Sequence, residues 1–335
     1  MGTITLSSTN KPVYTGEFPS VAVEQFFANV YVMAQQQDSR LAGNVTRSKL
    51  EGRFAHFPKI KPLSTTQGVR ETTAGDGLAS GNQTTGNRPQ ETTSRWQKTR
   101  LHLTEWAERR VTARRWDFAH PFEDDDDDRA IVSPQFYVTQ EANKDYNRNL
   151  DEVIISAILG NSLEVQRDTN GDESSTTVAF GEGVTDSATI DSGGGSFMTL
   201  DKLRAAKKLL KKGDVDTSRE TPILVISADE EYSLLGENRV VSGDYSMQRP
   251  LQQGDMINFY GCRIVQTELL PTAGGIRDCI LYMPSAIKLA VEDKMFIDSG
   301  LRRDLNVVEQ VFMKQKFGCI RMEEAKAIKI QCAEL

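Results

Sequence analysis

Leu63–Ser94 reads LSTTQGVRETTAGDGLASGNQTTGNRPQETTS, a run with almost nothing that could enter a core. Only Leu63, Val69, Ala74, Leu78 and Ala79 in these 32 residues are apolar, while eight threonines and five glycines fill much of the rest. A structureless segment this long is uncommon inside a compact domain and usually serves a function or stays disordered. Here it is flanked on both sides by text that reads as strand. The segment is either floppy or completed by another copy of the chain.

Outward from the tip, Asn44–Ile60 carries Val45, Leu50, Phe54 and Phe57 separated by charges. On the other side, Arg95–Phe118 holds all three tryptophans, Trp96, Trp106 and Trp116, and seven basic residues. Within it Thr99–Glu105 alternates polar and apolar, with Leu101 and Leu103 on one face. Two strands joined by a long polar excursion make an extended β-hairpin, and a lone two-stranded ribbon is marginal in water. It needs a surface to lie on. The stretch is followed by six acidic residues, Glu123–Asp128. Together the basic and acidic runs read as two halves of an electrostatic subunit contact, which sets register and partner choice more than affinity. The residues expected to meet a neighbour are Arg70, Thr84, Arg88, Trp96, Arg100, Trp106, Arg109, Arg110, Asp125 and Asp127.

The rest of the chain supplies a body. Residues 1–20, with Pro12 and Pro19, read as an extended arm, and Val21–Met33 as a helix started by Ser20. Ser133-Pro134 is a strong helix start and Gly160 a fitting stop, predicting a helix about 39 Å long. Its first half is polar on most sides and its second half apolar, which suits an element half laid on a surface and half sunk in a core. Asn161–Ser196 looks like another exposed excursion. Thr199–Lys212 is a helix with Leu200, Leu203, Ala206 and Leu210 inside and lysines outside. Pro222–Ser227 is a continuous apolar run and therefore a central strand. Ala228–Leu235 resumes helix, and Gly261–Thr267, Cys279–Met283, Ile287–Glu292, Val307–Phe317 and Ala327–Cys332 supply further strands. The fold class is α+β.

Composition bounds the function. A chain of 335 residues can bury a large core. A net charge of −7, from 40 basic and 47 acidic residues, disfavours a surface that grips nucleic acid throughout. Cys262, Cys279, Cys319 and Cys332 have no CxxC spacing and read as small hydrophobes in strands. No apolar run reaches the roughly 18 residues of a membrane span, and no leader motif opens the chain. Gly193-Gly194-Gly195 lacks the spacing of a phosphate loop. Asp168–Asp172 begins like a calcium loop, but position 12 would be Ala179 in place of a glutamate, so it reads as a solvated turn. Asp124, Asp126 and Asp128 are the candidate cation ligands, although like-charge blocks usually stay solvated. No catalytic constellation and no cofactor are expected. Rival readings are a soluble α/β enzyme with a ligand at the end of Ile223–Ile226 near Ser227 and Asp229, and a nucleic-acid module using Arg95–Arg115.

This layout resembles the tailed-phage major capsid proteins of the Hong Kong 97-type fold, over nearly the whole chain and by architecture, with no single signature motif. The most family-like local text is Leu281-Tyr-Met-Pro-Ser-Ala, Ile287-Lys-Leu-Ala-Val and Val307-Val-Glu-Gln-Val-Phe, near a terminal Ala-Ile-Lys-Ile. The resemblance implies an N-terminal arm and helix over 1–43 and an extended loop over 44–118, with its tip near 63–94. It implies a peripheral domain of 119–198 plus 281–335 with a spine helix over 133–160, and an axial domain of 199–280. It implies a structural protein that self-assembles as hexamers and pentamers into an icosahedral virion shell around double-stranded genomic DNA, bound without sequence specificity. Separate scaffolding, portal and decoration proteins would be its partners, with assembly in the host cytoplasm and no membrane. An encapsulin-like cellular compartment is the alternative within the same fold. The net negative charge suits a container whose inner wall should not trap DNA.

Overall fold

The computed structural model describes residues 3–6, 12–15, 36–60, 95–96, 106–122, 134–167, 172–184, 187–191, 193, 195–237, 258–293, 295–304 and 308–334. The first elements are β1 (Thr3–Leu6) and β2 (Pro12–Thr15), an antiparallel pair. Then come β3 (Thr46–Lys49), β4 (Phe54–Ile60), β5 (Trp106–Thr112) and β6 (Arg114–Phe122), followed by the long helix α1 (Pro134–Leu159). Next are β7 (Ser162–Arg167), β8 (Glu173–Val178), β9 (Thr189–Ile190), helix α2 (Leu200–Lys212), β10 (Ile223–Ile226) and helix α3 (Ala228–Leu235). The chain continues with β11 (Asn258–Phe259), β12 (Cys262–Gln266), β13 (Thr272–Ala273), β14 (Ile276–Tyr282), β15 (Ile287–Val291), β16 (Phe296–Arg302), β17 (Val308–Arg321) and β18 (Ala327–Ala333).

Three larger sheets organise these elements. A seven-stranded sheet runs β11-β12-β10-β14-β18-β9, with β13 on β14. A five-stranded sheet runs β16-β17-β15-β3, with β6 also on β17. A four-stranded sheet runs β4-β5-β7-β8 and contains the hairpin. The apolar run Ile223–Ile226 lies between a parallel neighbour, β12, and an antiparallel one, β14, and is buried throughout, as a strand covered on both faces must be. Each fully buried Leu or Ile contributes about 1.5–3 kcal/mol of transfer free energy. The seven-stranded sheet also joins β10 and β12 to β9 and β18, so a boundary at 198 and 281 cuts a continuous sheet.

Helix α1 divides its burial as its sequence divides its polarity. Ala142 and Tyr146 pack on Val311, Met313 and Phe317 of β17, whereas Ile154, Ile155 and Ile158 enter the main core. Glycine suits the helix end, because a Cβ at Gly160 would stand 2.5 Å from the Ser156 carbonyl oxygen.

The structure corrects several expectations. Asn161–Ser196 is no simple excursion: β7 pairs with β5, and Ser162 and Val165 are buried. Its polar Ser162 and Glu164 hid the alternation. Strand β16 was not expected, because all seven of its residues are exposed and it carries no apolar period. Lys202 is not on the outer face of α2 but buried. Strand β17 runs on to Arg321, beyond the expected end at Phe317. The expected helix at 21–33, the strand at 99–105 and all but Asp172 of the turn at 168–172 lie outside the described residues.

Candidate assembly surface and its anchors

The hairpin is built by alternation. Strands β4 and β5 pair from Phe54 opposite Thr112 to Ile60 opposite Trp106. Period-two geometry puts Phe54, His56, Pro58 and Ile60 on one face, with Trp106, Glu108, Arg110 and Thr112 beside them. That face is open: Phe54, Ile60 and Trp106 are exposed, Trp106 at 62%. Polar and charged partners lie across it. His56 Nδ1 lies 3.1 Å from Glu108 Oε2, and the guanidinium groups of Arg53 and Arg110 each lie 5.5 Å from the centre of the Phe54 ring. Arg110 also faces Glu173 at 3.9 Å. The opposite face, Ala107, Arg109 and Val111, is buried.

A buried charge cluster fixes the root of the hairpin. Arg109 is 1% exposed, and its Nη2 lies 3.3 Å from Glu164 and 3.5 Å from Glu324. Arg321 Nε donates to Glu324 Oε2 at 2.5 Å. Arg321 Nη1 donates to the carbonyls of Ile158 and of Gly160 (2.8 Å), capping the C-terminus of α1. The Gly181 amide adds a bond to Glu324 (3.3 Å), and the Phe180 ring lies 5.1 Å from the Arg321 guanidinium. Thus one cluster ties β5, β7, β17 and the end of the long helix together. Burial lowers the pKa of nearby Lys59, and repulsion from Arg109 lowers it further. Arg109 is therefore a correction: its charge is spent inside the subunit, because the period of two turns it inward between Ala107 and Val111.

A second anchor holds the incoming chain to α1. Asp151 is fully buried and accepts from Gln36 Nε2 (2.6 Å), Ser39 Oγ (2.5 Å) and the amides of Arg40 (3.0 Å) and Leu41 (3.1 Å). A third lies at α2. Lys202 Nζ meets Ser196 O (2.6 Å), Gln331 O (2.7 Å) and Asp191 (2.8 Å), joining that helix to β18. The hydrogen bond from Lys202, then that from Ser196, lowers the Asp191 pKa. Arg277 sits between Glu268 (2.6 Å) and Glu334 (2.5 Å); burial alone would lower its pKa, but these bonds raise it overall.

Trp96 is exposed at 94%, whereas Trp116 stacks on Phe317 with ring centres 5.8 Å apart. Arg70, Thr84, Arg88, Arg100, Asp125 and Asp127 lie outside the described residues, as do the cation candidates Asp124, Asp126 and Asp128. Among the described residues no group of three or more His, Cys, Asp or Glu side chains is arranged to hold a metal. Ser227, one of the two residues of the enzyme reading, is buried and accepts from the Asp229 amide (3.3 Å), while its own amide donates to Glu230 (2.9 Å) in a capping box. Sequence reasoning missed Asp151, Arg321 and Glu324. The signal existed for Asp151, which falls in one stripe with Ile154, Ile155 and Ile158.

A family model described as phage capsid protein matches residues 19–334. This chain belongs to the phage capsid protein family. The family makes its role structural and places it in the virion capsid. No curated protein matches the sequence. Many solved chains share the capsid protein's fold, three of them as follows. One is a chain of Mycobacterium phage Che8, at a TM-score of 0.64 and 13% identity, covering 95% of this chain and 98% of that one. The second, from the capsid structure of cyanophage P-SCSP1u, has a TM-score of 0.63, 13% identity and 93% of each chain covered. The third, from the capsid of Myoviridae phage XM1, has a TM-score of 0.59 and 14% identity, covering 96% of this chain and 100% of that one.

Proposed function

We propose that this capsid protein self-assembles as hexamers and pentamers into an icosahedral shell enclosing double-stranded phage DNA, with no sequence readout. The observation that carries the reading is the hairpin. Its inner face is locked to the body through Arg109, while its outer face presents Phe54, Ile60 and Trp106 to solvent. A rigid root with an exposed apolar face suits a ribbon laid over a neighbouring subunit. Closed symmetric assemblies reuse each interface many times, so modest contacts suffice.

In this reading residues 1–43 form the arm and 44–118 the extended loop, whose tip near 63–94 reaches the neighbour. Residues 119–198 and 281–335 form the peripheral domain, and 199–280 the axial domain, to which β9 and β18 contribute strands. Trp96, Trp106 and Arg110 are contact residues, with Arg70, Thr84, Arg88, Arg100, Asp125 and Asp127 completing the surface. Scaffolding, portal and decoration proteins are separate chains, and assembly takes place in the host cytoplasm. Among the described residues no helix is long and apolar enough to cross a membrane.

Negative-stain microscopy of the purified protein tests the reading directly. Shells support it, and a monodisperse small oligomer overturns it. Deleting Gly68–Arg88 is expected to abolish or loosen shells while leaving the subunit folded. Normal shells from that deletion would refute the role of the tip.

A further inference from the structure

Three strands of the five-stranded sheet are paired on one side alone, β3, β6 and β16, and β3 carries Arg47 and Lys49. Strand β6 carries Arg114, Arg115, Asp117 and, near its end, Pro121, the devices that keep an edge from pairing. Strand β16, Phe-Ile-Asp-Ser-Gly-Leu-Arg, has no proline, no lysine and no bulge in its pairing with β17. All seven residues are exposed, including Phe296, Ile297 and Leu301, and among the described residues no strand covers its outer side. A free edge with large apolar side chains is a template for another strand.

We propose that β16 pairs antiparallel with β16 of a second copy across a two-fold axis at Ser299. The sequence is self-complementary in that register. Ile297 meets Leu301 of the partner subunit on one face. Phe296 meets Arg302 of the partner subunit on the other, as an aromatic face meets a guanidinium. Asp298 faces Gly300 of the partner subunit and lies one step from the partner subunit's Arg302, which adds charge complementarity. The edge is already shaped for this. Lys314 Nζ sits 4.2 Å from the centre of the Phe296 ring, and Arg302 is steadied by Asp304 and by Gln310 (3.2 Å). Ser299 Oγ donates to Glu309 at 2.9 Å. A seven-residue strand spans about 24 Å, too small a strip for the roughly 1,000 Å² of a free-standing interface. The contact therefore closes only within a multivalent assembly. It rests on the shell reading above and names one of its contacts.

The test is Ser299→Cys in assembled particles under mild oxidation, beside wild type. At the two-fold centre the paired Cα atoms lie about 4.5 or 5.5 Å apart, within the roughly 4.4–6.8 Å a disulfide spans. Most of the variant subunit should run as a disulfide-linked dimer on a non-reducing gel. Hydrogen exchange on the unmodified protein gives the second readout: the amides of 296–302 that point away from β17 should slow roughly tenfold or more on assembly. Shells in which those amides stay unprotected, or a Ser299→Cys subunit that stays monomeric or links only to a different protein, overturn this contact and leave the shell reading standing. Absence of any shell overturns both.

Discussion

Glu324 is the carboxylate on which the hairpin root turns, and Glu324→Ala measures what that root contributes. Its side chain accepts from Arg321 at 2.5 Å and from the Gly181 amide at 3.3 Å, and lies 3.5 Å from Arg109. Truncation leaves Glu164 to face two buried guanidinium groups. Removing one partner of a buried pair costs about 3–5 kcal/mol, because the remaining charge has lost its compensation. Arg321 keeps the carbonyls of Ile158 and Gly160, which places the loss at the lower end, about 3 kcal/mol. Against a total stability of about 5–15 kcal/mol this is a large share. At about 2 °C per kcal/mol for a chain of this size, the midpoint should fall about 6 °C. The assay is thermal unfolding of the unassembled subunit by circular dichroism at neutral pH. The loss should persist at high salt, since buried pairs are little screened. A midpoint within about 1 °C of wild type would show that the cluster does not hold the root.

Three further perturbations probe other parts of the chain. Gly318→Ala puts a Cβ 2.7 Å from Val111 Cγ1, 3.1 Å from the Thr112 carbonyl oxygen and 3.2 Å from Ala113 Cα. Backbone cannot yield as a side chain does, so chemical denaturation should report a loss of about 1–3 kcal/mol; an unchanged midpoint would mean that β17 and the β5–β6 junction are not so close. The folded pKa of Asp191 is depressed below the ordinary 3.8 by Lys202 and Ser196. Its contribution is therefore present above the unfolded value and lost as pH falls through the folded one. Asp191→Asn should lower the urea midpoint near neutral pH, with a deficit that shrinks as acidification protonates the wild-type carboxylate, whereas a deficit unchanged by acid would contradict the ion pair. Finally, Trp96 and Trp106 are exposed in the subunit, so tryptophan emission should shift to the blue on assembly; identical spectra for shells and subunits would count against their burial at a contact.

What could be read from the sequence followed from how plainly each residue's surroundings are written in its neighbours. Helix α1 was legible because Ser133-Pro134 and Gly160 mark its ends and its apolar residues keep helical spacing. Strand β10 was legible because four consecutive apolar residues have few alternatives. The hairpin was legible in outline, since a polar tip between alternating segments leaves little else. Strands β8 and β16 were not, because nearly every residue in them faces solvent and exposed strands carry no period. The charge cluster was hidden for a different reason. Arg109 looks like any member of a basic stretch, and its partners lie 55 and 215 residues further on, at Glu164 and Glu324. Distant pairing of this kind leaves no local trace.

The strand pairings have a temporal consequence. Thr46 sits beside Lys288, and Arg114 beside Phe317, so the five-stranded sheet is stitched from segments far apart in the chain. Such non-local topologies cross their folding barrier slowly, while synthesis proceeds at about 5–20 residues per second from the N-terminus. The early strands β3 and β6 must wait on the ribosome for companions not yet made. A newly begun subunit thus has no finished surface to offer, and construction of the particle starts from released chains.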